Sequence, residues 1–255
     1  IHESSLNKSG IFTTLKSEDF TYFILNGDYK RILVFAVLFS FLINLFTQVN
    51  NLLGKNVLMN YITGKYHKPK EEERAFMFLD LSSSTTIAEK LGPVRYHKFI
   101  NSYFFDIDEA IVESEGEIYQ YVGDEAVISW KDKKGFKNAN CIRCFFRVKD
   151  RINELSEKYK NEFGIIPGFK AGLHYGEVVT GEIGDSKKEI VFHGDVLNTA
   201  ARIQAQCNTL GKTFLVTEDI LSRTELPEEF ISESLGKFTL RGKAQETELF
   251  NIERK

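Results

Sequence analysis

Residues 32–46 read ILVFAVLFSFLINLF, fifteen residues without a charge. A run this apolar does not suit the surface of a water-soluble domain; it is enclosed by protein or placed in lipid. Carried on through Thr47 and Gln48 to Val49, it approaches the roughly 20 residues that cross a hydrocarbon core. The expectation is a transmembrane helix over 32–49, with 1–31 as an extramembrane or loop segment. No small-residue cleavage site follows, against a cleaved signal peptide. Lys55, Lys65 and Lys68 precede the first acid after the span, Glu71. By the positive-inside rule the C-terminal portion faces the cytoplasm, although Lys30 and Arg31 on the other flank pull the opposite way. Beginning at Ile1 rather than Met, the chain reads as a fragment or a processed product.

The rest of the 255 residues has to supply a folded domain. Apolar residues make up 42% and charged residues 27%, which suits a globular core rather than disorder. A net charge of −3 leaves no electrostatic footprint for nucleic acid. The three cysteines, Cys141, Cys144 and Cys207, form no disulfide framework and suit a reducing compartment. Cys141 and Cys144 make a lone CxxC inside an apolar-periodic helix, so they read as core residues, not as a zinc site.

Between span and domain, Leu45, Val49, Leu52, Asn56 and Met59 are spaced 4, 3, 4, 3. This is a short heptad seam or a chance amphipathic helix; a seam would imply a parallel dimer. Pro69, in YHKPKEEER, stops the helix, and the charges around it read as a solvated run. The boundary falls there: 50–73 is a helical signalling linker and 74–255 the main domain. In that domain AFMFLDL reads as a buried strand, 85–91 and 94–114 as helices, and EGEIYQYVGDEAVISW as two strands joined at Gly123-Asp124. A long helix over 138–162, a strand and turn in GFKAGLHYGEVVTGEIG, a helix in VLNTAARIQAQC, a strand in TFLVTE and a closing hairpin follow. The alternation predicts an α+β fold with helices packed on a sheet.

Asp80 leaves the end of the first strand and runs into Ser82-Ser83-Ser84-Thr85. Hydroxyl residues there would serve as helix caps. If strand and hairpin are sheet neighbours, Asp80 and Asp124 emerge at one edge and make a good Mg²⁺ site, since Mg²⁺ takes a few carboxylates plus phosphate oxygens. The N–H groups of Ser83, Ser84 and Thr85 at a helix start would then face the phosphate. Asp124 by itself also suits a plain turn. Asn198 and Arg202 lie four residues apart and share a helix face.

The order and spacing of FLDLSSST, GEIYQYVGDEAV and FHGDVLNTAARI closely resemble the class III nucleotidyl cyclases, over about residues 74–252. The resemblance implies a ferredoxin-like βαββαβ core and a head-to-tail homodimer with active sites at the interface. It implies that Asp80 and Asp124, helped by the Leu81 carbonyl, bind two Mg²⁺ or Mn²⁺ ions per site. One ion lowers the pKa of the ribose 3′-hydroxyl and the other holds the triphosphate, and the 3′-oxygen displaces pyrophosphate from the α-phosphorus. Asn198 orients the ribose and Arg202 stabilises transition-state charge, both from the second chain. Arg241 falls where the family has a terminal-phosphate lysine, with Lys243 as a substitute. The base positions hold Gln120 and Val191, which match neither the adenylyl nor the guanylyl pattern. Gln can pair with either purine and Val offers no hydrogen bond; nearby His193 and Asp195 read as structural. The family prior favours ATP and a membrane-tethered adenylate cyclase in the cytoplasm. Guanylate cyclase, or a non-catalytic nucleotide-sensing dimerisation module, is the alternative. A cyclic-dinucleotide synthase would carry Gly-Gly-Asp/Glu-Glu-Phe at the hairpin, where this chain has VGDEA.

Overall fold

The computed structural model describes residues 18, 20, 22, 29–54, 57–243 and 245–255. Two compact units result, 1–59 and 60–255. Lys55, Asn56 and most of the segment 1–31 lie outside the described residues.

In the first unit the apolar run becomes helix α1 (Tyr29–Leu53), 25 residues with none buried. At 1.5 Å per residue it is about 37 Å long, more than a hydrocarbon core requires. By length and composition it is the one such helix among the described residues. Its polar side chains fold back on it: Asn44 Nδ2 donates to the Ser40 carbonyl and Thr47 Oγ1 to the Ile43 carbonyl, each at 2.9 Å. A short helix, α2 (Val57–Ile62), follows.

The second unit is built on one sheet. Its elements are β1 (Lys70–Leu81), α3 (Ser84–Leu91), α4 (Pro93–Glu113), β2 (Glu117–Val122), β3 (Glu125–Lys131), α5 (Asp132–Phe136), α6 (Asn140–Glu154), α7 (Ser156–Phe163), β4 (Phe169–Ile183), β5 (Glu189–His193), α8 (Asp195–Leu210), β6 (Phe214–Thr217), α9 (Glu218–Leu221), β7 (Phe230–Thr239) and β8 (Glu246–Arg254). Strand order is β2-β3-β1-β4-β6-β8-β7, with β5 paired to β4. Each neighbouring pair in the row β2-β3-β1-β4 is antiparallel, which is the expected βαββαβ core.

Strand β1 is buried on both faces, and this explains its unbroken apolar run. Ala75, Met77, Leu79 and Leu81 join the large core with Phe99, Tyr103 and Ile107 of α4 and Cys141, Cys144 and Phe145 of α6. Phe76 and Phe78 point the other way, to Val127, Val178, and Val196 and Ala200 of α8. Side chains alternate along a strand, so Asp80 continues the Phe76–Phe78 row and falls on the face that α8 covers. Helix α8 lies very close to β4. A Cβ at Gly172 would come within 2.6 Å of the Ala200 carbonyl oxygen and closer still to the Gln204 amide nitrogen.

Two expectations change. Residues 70–73, expected in the helical linker, extend β1 instead; Lys70, Glu71 and Glu73 are exposed, as the solvated reading expects, but Arg74 is not. Arg74 is 2% exposed, donates to Glu72 and Glu117 at 3.0 Å each, and lies 4.6 Å over the Phe192 ring. Paired in this way, its charge tolerates burial. The long helix over 138–162 is two helices, because Leu155 (φ −91°, ψ 8°) leaves helical geometry between α6 and α7.

Since backbone, not a movable side chain, occupies the space above Gly172, Gly172→Ala is expected to lower the stability of the 60–255 unit by about 3 kcal/mol. A urea midpoint unchanged from wild type would show that α8 can lift without cost.

Candidate active site

The acids gather at one end of the central strands. Asp80 is the second-last residue of β1 and stands opposite Glu125 of β3. Asp124 occupies the tight turn between β2 and β3, next to Gly123 at φ 65°. All three are half-buried. Burial and the charge of Asp124 push the Asp80 carboxyl above its ordinary value, while a hydrogen bond from Gln204 and the charge of Lys170 pull it down. Glu125 is pushed up to about 7 by burial and by Asp80 and Asp124. Mutual repulsion of this kind is what a bound cation relieves.

Lys170, on β4, stands opposite Asp80 on the other side of β1. Its Nζ donates to Asn208 Oδ1. The resemblance did not single it out; only the β1–β4 register reveals it.

Ser83 ends the loop after β1 in the left-handed region, at φ 57° and ψ 31°, and its side chain caps nothing. The capping explanation of the hydroxyl run therefore fails at this residue. The first backbone bond of the helix runs from Ile87 N to Ser83 O. The N–H groups of Ser84, Thr85 and Thr86 precede it and have no partner within the helix. Free N–H groups of this kind at a helix start, a few residues after Asp80, suit an anion. Tyr96 of α4 closes the corner: Ser84 hydrogen-bonds its phenol, whose pKa burial, Asp124 and Asp80 all raise.

This donor set fits Mg²⁺ or Mn²⁺: carboxylate oxygens, with the Leu81 backbone carbonyl next in sequence to Asp80. Among the described residues, no cluster of three or more His, Cys, Asp or Glu side chains forms a ready-made cage. An ion here would complete its shell with water, or with substrate oxygens when nucleotide is bound, as Mg²⁺ commonly does.

The second group of residues collects elsewhere. Asn198 and Arg202 are one turn apart on α8. The Arg202 guanidinium reaches to within 3.6 Å of where a Cβ on Gly242 would stand, in the turn between β7 and β8. That turn carries Arg241, which is exposed and without an ion pair among the described residues, and Lys243, which pairs with Asp195 at 2.7 Å. Of the two cations, Arg241 is the one left available for an anion. No hydrogen bond or ion pair joins Asp80 or Asp124 to Asn198, Arg202, Arg241 or Lys243 among the described residues. One chain thus holds an acidic cluster and a separate basic one.

Gln120 is exposed on β2 and Val191 half-buried on β5. Their neighbours hold these strands together: Tyr119 meets the Phe192 ring edge-on at 4.8 Å. A bulge between Ile118 and Gln120 gives β2 an extra residue and sets these side chains. His193 is exposed, and Asp195 serves as the partner of Lys243. Cys141 and Cys144 are fully buried, with burial pushing each thiol up to about 12, and take no part in chemistry.

The raised Glu125 carboxyl has a consequence for stability. Its folded value near 7 lies above the ordinary 4.5. The folded chain therefore binds more protons than the unfolded one between those values, and stability falls as pH rises through that window. Glu125→Gln is expected to match wild type at pH 4 and to exceed it by on the order of 1–3 kcal/mol at pH 8 in chelator. Adding Mn²⁺ should narrow the gap. Chemical denaturation of the 60–255 unit at the two pH values measures this, and a gap that ignores pH would refute the electrostatic account.

The family model described as adenylate and guanylate cyclase catalytic domain matches residues 66–253. Adenylate cyclase 2 of Rhizobium meliloti (strain 1021) is 35% identical over 222 residues, covering 87% of this chain and 61% of that protein. Guanylyl cyclase C of Homo sapiens is 25% identical over 185 residues, covering 69% of this chain and 16% of that protein. This chain therefore spans about three-fifths of the first relative and a small part of the second. Among solved structures, a bacterial light-regulated adenylyl cyclase superposes with a TM-score of 0.72 at 21% identity, covering 88% of this chain and 66% of that one. With the family model spanning most of the chain, and the fold and motif residues in place, this protein belongs to the class III adenylate and guanylate cyclases.

Proposed function

We propose that the chain makes 3′,5′-cyclic AMP and pyrophosphate from ATP as a head-to-tail homodimer, tethered to the membrane by α1 with its catalytic domain in the cytoplasm. The observation that carries this reading is the separation of the two clusters. Each chain has the acids, the free helix N-terminus, the Asn–Arg pair and an unpaired cation, yet its own acids do not meet its own Asn198 and Arg202. A two-fold pairing of identical chains, acids of one against Asn198 and Arg202 of the other, completes two sites at once.

In such a site Asp80 and Asp124 hold Mg²⁺ or Mn²⁺, with the Leu81 carbonyl. Two bound ions would supply acidity to the ribose 3′-hydroxyl and positive charge to the triphosphate. The N–H groups opening α3 bind phosphate oxygens. Asn198 orients the ribose so that its 3′-oxygen is in line with the α-phosphorus. As the new P–O bond forms and the bond to pyrophosphate breaks, negative charge builds on the phosphate oxygens, and Arg202 meets it with several donors. Arg241 holds the terminal phosphates.

Adenine is favoured by the 35% identical relative, an adenylate cyclase. GTP is the second reading, and the exposed amide of Gln120 with the apolar Val191 favours it as a poorly rejected competitor. Matched polar groups carry most discrimination in such pockets, and this pair supplies few.

The full chain should make cyclic AMP when offered ATP, GTP, CTP and UTP separately with Mg²⁺ or Mn²⁺, with cyclic GMP as a minor product. Cyclic GMP as the main product would overturn the adenine assignment, and no product from any nucleotide would favour the non-catalytic module. Asp80→Ala and Arg202→Ala should each lose activity by about 1,000-fold or more in homodimers. Mixing the two inactive chains, allowing them to exchange, should restore about a quarter of wild-type activity, because half the dimers then hold one intact site of two. A mixture as inactive as its parents would exclude the shared-site dimer.

A further inference from the structure

Helix α8 carries a second ladder that the reaction scheme does not use. Gln204 and Asn208 are four residues apart and share one face, as Asn198 and Arg202 do. At about 100° per residue the six positions from Asn198 to Gln204 turn the helix by about 600°, roughly 240° past one full turn, so the two ladders project about 120° apart. The second one faces the sheet end. Gln204 Nε2 donates to Asp80 Oδ2 at 3.0 Å, and Asn208 Oδ1 accepts from Lys170. Lys170 and Asp80 are register partners on β4 and β1. Two neutral amides of one helix thus hold the acid and the lysine that stand side by side.

Gln204 is only 8% exposed. Its backbone is pinned where it packs against Gly172, so its side chain starts from a fixed point. A carboxylate on its own rotates freely about its last bond, whereas metal ligation needs its oxygens aimed. An amide donor to Oδ2 stops that rotation and leaves Oδ1 open. Being uncharged, it does not compete with a cation, as a lysine in the same place would.

Resting on the assignment of Asp80 as a metal acid, we infer that Gln204 is a positioning residue that aims Asp80 at the cation, from the same helix that presents Asn198 and Arg202. The helix then has two duties. One ladder serves the nucleotide and the other sets the acid of its own chain. In the proposed dimer these belong to different sites, so α8 is the rigid link between them.

The test is Mn²⁺ binding to the full chain in detergent micelles without nucleotide, read by electron spin resonance of the free ion. Thermal midpoints are recorded for each variant. Gln204→Met keeps length and volume but removes the donor. It should weaken Mn²⁺ binding by roughly 10–100-fold, as loss of an outer-shell partner does, with the midpoint within a few degrees of wild type. In turnover it should raise the Mn²⁺ concentration needed while leaving the nucleotide KM at saturating Mn²⁺ unchanged, a split that a merely structural residue would not give. Asp80→Ala is the control that separates the two layers. If it abolishes binding and Gln204→Met does not weaken it, the positioning role is wrong and the metal assignment stands. If Asp80→Ala binds Mn²⁺ as wild type does, the metal assignment itself is wrong and the positioning role falls with it. Should Gln204→Met fail to fold, Gln204→Asn, whose amide is one methylene short of Asp80, decides by the same criteria.

Discussion

The contact between α8 and β4 at Gly172 is the constraint on which the site depends. A helix normally rests on a sheet across a layer of side chains. Here the absent Cβ lets helix backbone settle almost directly on strand backbone. That seat fixes the height of Ala200 and Gln204 above the sheet, and with them every residue of α8 that faces outward. Asn198, Arg202, Gln204 and Asn208 are all referred to this one point. The acids of β1 and β3 are referred to the same sheet through the pairing of Asp80 with Glu125 and Lys170. Asp80, Glu125 and the polar residues of α8 are therefore set by backbone hydrogen bonds and one glycine, whereas Asp124 and Arg241 ride on tight turns.

The acidic end is held in an unfavourable state. Three carboxylates share a half-buried corner, and two of them, Asp80 and Glu125, are shifted upward by burial and by neighbouring carboxylates. The fold tolerates the repulsion because the large core on the opposite face of β1, with Met77, Leu79, Leu81, Tyr103 and Phe145, supplies its stability elsewhere. Lys170 and Gln204 offset part of the cost without filling the place a cation would take. A second strain sits next door, where Ser83 adopts a left-handed conformation that glycine would enter more easily.

Much of this was legible in the sequence, for identifiable reasons. An apolar strand that ends in Asp80 and a hairpin tip at Asp124 are local patterns, and so is the four-residue spacing of Asn198 and Arg202. What stayed hidden depends on contacts between distant segments. Lys170 looks like any strand-edge lysine until β4 is laid against β1 in register. Gln204 looks like a helix surface residue until Gly172 brings its helix down. Glu125 follows Asp124 and passes for a turn neighbour; its raised pKa comes from burial and from Asp80 on the strand opposite, with Asp124 adding to it. Arg74 misled in the other direction. In a run of charges it read as solvated, yet Glu72, Glu117 and the Phe192 ring give it a buried place that composition cannot show. That place steadies Phe192, and through Tyr119 the strand that bears Gln120.

The way α1 disposes of its polar side chains bears on how it behaves in an apolar solvent. Asn44 and Thr47 each return a hydrogen bond to a carbonyl one turn back. One amide hydrogen of Asn44 and the Thr47 hydroxyl are thus satisfied within the helix, which lowers the demand on any neighbour. A helix with unsatisfied polar groups in lipid is locked to whichever partner completes it, because parting exposes them to hydrocarbon. This one carries part of its compensation with it. Turning about its own long axis breaks none of these bonds, so azimuthal freedom comes at little enthalpic cost.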